Sequence, residues 1–485
     1  MNGKPKSDWG VFKSLLVAVA CLVLLVALFY AEEDWRGWHA WHNFQRQWEA
    51  KGEKFDRQSA VPAPVPDDQN FALAPVVAGS YSYILDRNGH EITPRRTNEV
   101  DRLKMEIPPA VTNGIGYWQK SSASQLQSPA DDVLRALGKY DSTIEELRAA
   151  AQLPYSRFPL NYDTENPAMI YLPHLADLKR CSQVLQLRAV AELQNGQSEK
   201  ALADVRLALQ LADKVRTEPI LISHLVRLAI LQITLQPVWD GLARHQWSDA
   251  QLAALDAELA KLNFAADYQL SLRNGELVLM QGGVFDYLRR HPEQLPALSG
   301  QSRASPPLSA RILLRLIPSG WIYQNQLRCA RPMEEFLLPV ADTNQQTISP
   351  AKAKAADAAV TAQTRRPGLF NLGERLLLPA LGNVGKRFAY GQASADLARV
   401  AIALERYRLA HGDYPAALDA LAPQFIEKVP HDVVNRQPLH YRRPDDGQFV
   451  LYSIGWNEMD DDGEVGLKTD GTVDRDTGDW VWRYP

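Results

Sequence analysis

The pattern of apolar and polar positions predicts a long helix near the start of the chain. No charge occurs from Ser14 to Ala31, and about eighteen residues at about 1.5 Å each approach the thickness of a bilayer core. Lys51-Gly52 predicts the end of the helical pattern that follows. That pattern is a stripe of aromatic residues spaced three or four apart: Trp35, Trp38, Trp41, Phe44 and Trp48. The stripe is either an interfacial belt or partner-helix seam, or a face packed on the chain's own domain.

Helical patterns dominate the middle of the chain. Before them, "SYSYILDRNGHEITP" alternates around Asn88-Gly89 and predicts a β-hairpin. Ser248, with Gln251 three residues later, predicts a capped helix start. Residues 185–212 resemble one tetratricopeptide unit with Gly196 at its turn, but no clean second copy follows. We therefore expect helical hairpins here, not a peptide-binding array.

The last hundred residues predict a long amphipathic helix followed by a small sheet. "ASADLARVAIALERYRLAHGDYP" places apolar residues close to a 3.6-residue period and stops at Gly412 and Pro415. "PLHYRR", "QFVLYSIG" and "DWVWRY" then predict three antiparallel strands, the first two joined at Asp446-Gly447. Residues 350–368 predict a linker or a weakly held helix.

These patterns together predict an α+β fold with an N-terminal transmembrane helix. The expected divisions are a cytoplasmic tail and anchor (1–31), an aromatic helix and Pro-rich spacer (32–66), a small β-containing segment (67–129), an α-helical domain (130–338), a linker (339–380) and a C-terminal α+β domain (381–485).

Charge places the chain relative to the membrane. Three lysines precede the apolar run and three acids follow it, so the positive-inside rule predicts a cytoplasmic N-terminus and an extracytoplasmic bulk. A cleaved signal peptide fits less well, because Phe29 stands where a small residue is wanted. Residues 11–31 are therefore expected to anchor the chain in a bacterial inner membrane, with the remainder periplasmic.

Composition removes several classes of function. A net charge of -4 gives no basic face for nucleic acid. Three cysteines without a CxxC pair support neither a zinc ribbon nor a disulfide scaffold, and the pairing of Cys181 with Cys329 stays open. The motifs HExxH, GxSxG, GxGxxG and GxxxxGK(S/T) are all missing. We expect a protein without enzymatic activity and identify no small-molecule substrate.

An acidic run follows the second predicted strand of the tail. Five acids fall within residues 458–464, and mutual repulsion predicts either a bound cation or a solvated loop. The alternation of Glu458, Asp460 and Asp462 before Gly463 suits calcium, which takes about six to eight oxygen ligands. The run is no EF-hand, because Thr469 stands where that loop needs glutamate.

The order of motifs in the tail resembles the globular domain of the type II secretion major pseudopilin. "LERYRLAHGDYP", "LAPQFIEKVPHD", "LHYRR", "VLYSIGWN", the acidic loop and "GDW" occur in that order between residues 393 and 479. The whole chain resembles a group of single-pass bacterial membrane proteins with this tail. The prepilin-peptidase motif is absent, since Leu15 occupies the position of its glutamate. Assembly as a processed pilin subunit is therefore not expected.

The resemblance implies a calcium site in the loop after Ser-x-Gly. By position, its ligands would be Asn457, Asp460 or Asp462, and Asp479. Two departures are that Asn457 replaces the usual aspartate and that the loop is longer.

The expected function is an envelope protein with a calcium-stabilised, pseudopilin-like interaction module, associated with a secretion or pilus-like assembly through envelope protein partners. The alternative is a peptide- or protein-binding adaptor working through the helical middle.

Overall fold

The computed structural model describes residues 9–81, 83–85, 91–94, 102–107, 129–299, 307–365, 368, 371–444 and 447–484. Its α-helices are α1 Trp9–Glu49, α2 Arg57–Ala60, α3 Pro75–Ala78, α4 Pro129–Leu137, α5 Asp141–Ala151, α6 Pro173–Gln194, α7 Ser198–Asp213, α8 Leu221–Ala243, α9 Asp249–Leu259, α10 Phe264–Leu270, α11 Gly283–Arg290, α12 Leu308–Arg315, α13 Ser319–Pro332, α14 Pro350–Thr364, α15 Leu372–Leu377 and α16 Val384–His411. Ser271–Gly282 and Met333–Leu337 are π-helical.

The strands form small antiparallel sheets. They are β1 Tyr83–Leu85, β2 Glu91–Pro94, β3 Ala341–Asp342, β4 Thr347–Ile348, β5 His440–Arg442, β6 Val450–Ser453, β7 Val465–Leu467, β8 Val473–Gly478 and β9 Trp480–Arg483. The tail sheet has the order β5-β6-β9, and β7 pairs with β8 as a hairpin inserted between β6 and β9. The mixed, mostly helical fold with small antiparallel sheets is confirmed. The hairpin pairing β1–β2 is also present, but Asn88-Gly89 lie outside the described residues.

Helix α1 is one uninterrupted helix of 41 residues with two different surroundings. Residues 12–29 are exposed on all sides, and this stretch is long and apolar enough to cross a membrane. The second half packs on the body, because Trp41 and Phe44 are buried in the main hydrophobic core. Trp35 remains 63% exposed and Trp38 45%. The second expected interpretation, packing on the chain's own domain, is therefore confirmed for Trp41 and Phe44, whereas Trp35 and Trp38 remain largely exposed.

A crossing of two glycines joins α1 to α13. A Cβ on Gly37 would lie 2.1 Å from the carbonyl oxygen of Gly320, and a Cβ on Gly320 would lie 2.0 Å from that of Glu33. The Asp34 carboxylate accepts from the backbone N–H of Gly320 at 2.8 Å, which caps the start of α13. The indole N–H of Trp321 donates to Glu33 at 3.0 Å. Close backbone approach and two polar contacts thus fix α13 against α1.

The middle of the chain is built from packed helical hairpins. Helices α6 and α7 are joined at Gly196, whose φ of +69° suits the tight turn. Ser248 and Gln251 form the predicted capping box at the start of α9. Helix α8 is also long and apolar enough to cross a membrane, but 61% of its most apolar 18-residue stretch is buried inside the body. It is a core helix in this fold.

Helix α16 lies at the centre of the body. It packs against α8, α9 and α10 on one side and against β6 and β9 on the other. Sixteen of its residues are buried, including the run from Ala395 to Ala398. The sequence predicted a one-sided apolar stripe that included Leu409, but Leu409 is 44% exposed and the helix is buried on several sides before it. Because α16 packs against both the helical middle and the tail sheet, a single hydrophobic core includes residues from α1 to β9.

Several elements of residues 339–380, which the sequence predicted as a linker, pack on the body. Helix α14 buries Ala353, Ala356 and Val360 on one face. Strands β3 and β4 join the same core through Ala341 and Ile348. Cys181 and Cys329 form no disulfide with each other, and each is buried in a separate hydrophobic cluster.

Replacing Gly37 tests the helix crossing. We expect Gly37→Ala to lower the stability of the full chain in detergent micelles by about 1–3 kcal/mol, because overpacked side chains force the backbones apart. Thermal unfolding measures this loss. Gly282→Ala is the control, since its Cβ would meet its nearest neighbour at an ordinary 3.6 Å. Equal melting temperatures for Gly37→Ala and the wild type would contradict the crossing.

Candidate functional site

The acidic loop emerges where strands β6 and β9 end their pairing. The register pairs Ser453 with Trp480, which brings the two flanking glycines together. Gly455 and Gly478 have φ values of +70° and +68°, and a Cβ on Gly455 would lie 2.5 Å from the carbonyl oxygen of Gly478. Both positions therefore require glycine. The Ser-x-Gly and Gly-Asp-Trp motifs form the two sides of the loop's base.

Asp479 is the buried carboxylate at this base. Its Oδ2 accepts hydrogen bonds from the backbone N–H of Asp461 at 3.1 Å and of Gly463 at 2.7 Å. Its Oδ1 is buried and has no hydrogen-bond partner among the described residues. Burial raises the pKa of Asp479, the two backbone donors lower it, and the charges of Asp461 and Asp460 raise it again. The buried Oδ1 of Asp479 therefore has no hydrogen-bond donor among the described residues.

Asn457 contacts the loop through Asp461. The Asn457 Nδ2 donates to Asp461 Oδ2 at 2.7 Å, and Asn457 Oδ1 accepts from the backbone N–H of Met459 at 3.2 Å. Asp461 was not among the predicted ligands, because the sequence argument followed the even-numbered acids.

Asp460 and Asp462 have other contacts. Asp460 Oδ1 accepts from the Tyr452 hydroxyl at 3.1 Å, and its Oδ2 lies 3.2 Å from His440 Nδ1. Asp462 is exposed, and its carbonyl oxygen accepts from Arg442 at 2.8 Å. Within the described residues, no group of three or more His, Cys, Asp or Glu side chains is placed to hold a metal ion. The structure brings Asp479 to the loop backbone without gathering all four predicted ligands around one point.

A second buried carboxylate joins two of the tail motifs. Asp432, from Val-Pro-x-Asp, accepts from the Ser453 hydroxyl at 3.0 Å and from the backbone N–H of Val434 and Ile454 at 2.9 and 3.1 Å. These bonds hold the loop before β5 against the end of β6. Burial raises the pKa of Asp432, and these donors oppose the rise. Two of the motifs that carried the resemblance, Val-Pro-x-Asp and Leu-Tyr-Ser-x-Gly, are therefore joined by hydrogen bonds.

A shallow groove lies between the helical middle and the tail sheet. Its volume is about 200 Å³, and its lining includes Gln232, Gln236, Trp239, Tyr390, Trp480 and Trp482. The Gln232 Nε2 and Trp480 Nε1 donors are buried and have no hydrogen-bond partner in the part of the chain that the structure describes. Strand β9 borders the groove, and Trp239 Nε1 donates to the carbonyl oxygen of Arg483 at 3.1 Å. Aromatic and amide side chains thus meet at the edge of the sheet.

The buried polar residues of the helical middle hold the fold together. His174 Nε2 lies 2.8 Å from Glu218 Oε1, and the Ser223 hydroxyl donates to the other oxygen of Glu218 at 2.5 Å. His174 and Ser223 are fully buried. Because the serine donates to a carboxylate and not to a histidine, this group lacks the hydrogen bond that activates a serine nucleophile. It joins α6 and α8 to the turn that precedes α8.

Comparison of the chain with protein-family models, with curated proteins and with solved structures finds no match. The pseudopilin resemblance of the tail therefore rests on its motifs.

The pKa of Asp396, on α16 near Asp432, generates a pH prediction. Burial raises this pKa to about 7, Gln392 and Arg399 lower it, and Asp432 raises it. Between about pH 4 and 7 the folded chain keeps a proton on Asp396 that the unfolded chain has released. The contribution of Asp396 to stability is therefore full below about pH 4 and falls as the pH rises to 7. One pKa unit corresponds to about 1.4 kcal/mol.

We expect Asp396→Asn to remove the part of that fall that is due to Asp396, while Glu192 and Glu276, whose pKa values burial raises to about 8 and about 7, contribute a further part. Denaturant unfolding of the full chain at pH 5 and pH 8 measures it, with the exposed Asp419→Asn as the control. An unchanged difference between the two pH values in Asp396→Asn would refute the assignment.

Proposed function

We propose that this chain is a single-pass, non-enzymatic protein of a bacterial inner membrane that displays a pseudopilin-like module to protein partners outside the cytoplasm. The observation that carries the proposal is the continuity of α1. Its exposed apolar half requires a non-aqueous environment, and its second half belongs to the core of the body through Trp41 and Phe44.

The orientation is argued from charge. Lys4, Lys6 and Lys13 precede the apolar stretch, whereas Glu32, Glu33 and Asp34 follow it. The positive-inside rule therefore supports a cytoplasmic N-terminus. Glu33 and Asp34 also bind α13, so the acids that follow the membrane stretch are part of the body's packing. An uncleaved anchor is supported because the helix continues through Ala31 without a break.

The tail is proposed to be the interaction module, with its loop stabilised by calcium. The residues fit a cation in part. Asp479 Oδ1 is a buried oxygen without a hydrogen-bond donor among the described residues, and the charge of Asp461 raises the pKa of Asp479. Asn457 contacts Asp461, while Asp460 and Asp462 would have to turn toward the site. Bound calcium would neutralise the repulsion between these carboxylates and join the loop to β9.

A calcium titration of the full chain in detergent tests the module. The full chain is used because α16 shares its core with the helical middle. A ligand present at about a hundred times its dissociation constant stabilises a folded protein by about 2.7 kcal/mol. We expect calcium, and not magnesium, to raise the melting temperature by a few degrees.

Variants locate the ligands. Asp479→Asn and Asp461→Asn are expected to abolish the calcium shift, whereas Glu458→Gln, in the same loop, is the matched control. Loss of the shift in Asp460→Asn or Asp462→Asn would assign those residues to the site as well. No shift in the wild type, with the chain folded, would make the loop a solvated acidic turn.

A second candidate function is supported by the groove beside β9. Its aromatic and amide lining includes Trp239 and Gln236 of α8, so it extends from the helical middle to the tail. An extended peptide that pairs with the edge of β9 would fit such a lining.

Photocrosslinking from Gln236 in cells tests this function, with the exposed Leu409 as the control position. A specific adduct from Gln236 alone would favour a peptide-binding adaptor. Adducts from the acidic loop alone would favour the tail.

A further inference from the structure

Helix α12 presents an apolar face that the body leaves uncovered. Four large apolar side chains of this segment are each more than half exposed: Leu308 71%, Ile312 55%, Leu313 67% and Leu316 57%. Leu308, Ile312 and Leu316 are spaced four residues apart and share one side of the helix. An apolar face of this size in contact with water is unfavourable, so its neighbours in the fold decide what covers it.

The position of α12 identifies that neighbour. The hydroxyl of Tyr30 donates a hydrogen bond to the carbonyl oxygen of Leu316, immediately after α12. Tyr30 is also where the fully exposed apolar stretch of α1 ends. The crossing of α13 with α1 at Gly37 comes only a few residues later on both helices. The C-terminal end of α12 therefore lies beside α1 at the level where the apolar stretch ends, and the helix itself contacts Pro292–Ser299.

The charges around α12 suit the same location. Its sequence, LSARILLR, contains two arginines and no acid. Arg315 pairs with Glu293 on the side of the body, at 3.2 Å. Long arginine side chains extend their cationic ends toward lipid headgroups while their stems lie on apolar surface. Trp35, which is exposed, lies five residues beyond Tyr30, about 7 Å along α1 and at the depth of an interfacial aromatic belt.

We propose that α12 lies in the surface of the membrane that α1 spans, with the exposed apolar side chains of residues 308–316 at the headgroup–acyl boundary and Arg311 among the headgroups. The inference rests on the proposed membrane anchor and adds a second membrane contact. Two contacts fix the tilt of the body, whereas one anchor leaves it free to rotate and lean. Phosphatidylglycerol or another anionic lipid would strengthen the contact through Arg311, since Arg315 is neutralised by Glu293.

Lipid quenching of a site-specific fluorophore tests this proposal. The full chain carries Cys21→Ser, because Cys21 is exposed whereas Cys181 and Cys329 are buried. Single cysteines at Leu313, at Val23 of the anchor or at the exposed Leu467 of the tail are labelled with the environment-sensitive fluorophore NBD. The labelled chains are reconstituted in phosphatidylcholine vesicles with or without doxyl groups near the top of the acyl chain. A label at Leu308→Cys repeats the measurement if Leu313→Cys fails to fold.

We expect doxyl lipid to quench the labels at Val23 and Leu313 at least threefold more than the label at Leu467. Quenching at Val23 without quenching at Leu313 would overturn the surface helix while the anchor stands. Absence of quenching at both positions would overturn the anchor and the surface helix together. Blue-shifted emission at Leu313 without lipid quenching would mean that protein, such as a second copy of the chain, covers this face, and would also overturn the proposal.

The role of the arginines is tested in the same vesicles with added phosphatidylglycerol. We expect quenching at Leu313 to increase with the anionic lipid, and this increase to disappear in Arg311→Gln but to persist in Arg315→Gln, because Arg315 is paired with Glu293. Equal quenching with and without phosphatidylglycerol would remove the headgroup contact from the proposal.

Discussion

The structure depends on the continuity of helix α1, which has an exposed apolar half and a half packed in the main core. The first half of α1 is apolar and exposed on every side, and the second half is part of the main core. No flexible segment separates the two, because one run of helical hydrogen bonds extends from Trp9 to Glu49. The apolar half of α1 and the body are therefore joined by a continuous helix. The glycine crossing with α13 extends this constraint to a second helix.

The body transmits that constraint to the tail. Helix α16 is buried between the helical middle and the tail sheet, so the sheet moves with the helices. The tail sheet therefore keeps a fixed orientation relative to the helical middle and to the second half of α1. Under the proposed function, the helical middle would set the position of the acidic loop and of the edge of β9 relative to the anchor.

Much of the architecture follows from local patterns, and most of the site does not. Apolar patterning predicted α1 and the tail strands β5, β6 and β9, and the pair Ser248 and Gln251 predicted the start of α9. Each of these elements is determined by neighbours in sequence. The Gly37–Gly320 crossing joins residues far apart in the chain, and a lone glycine in a helix gives no sign of its partner. The pairing of Asp479 with the backbone of Asp461 and Gly463 is equally non-local. The β7–β8 hairpin was missed because its sequence is mainly polar, without a clear apolar alternation.

The acidic loop depends on how the cost of burying the Asp479 carboxylate at its base is offset. Asp479 is buried, and two backbone donors serve one of its oxygens while the other has none among the described residues. Burying a carboxylate is costly unless hydrogen bonds or a counter-charge compensate. The cost is relieved either by a proton, which the raised pKa favours, or by a cation shared with the neighbouring acids. A proton leaves the repulsion among the other acids of the loop in place, whereas the divalent cation proposed for this loop would lower both that repulsion and the cost of burying Asp479.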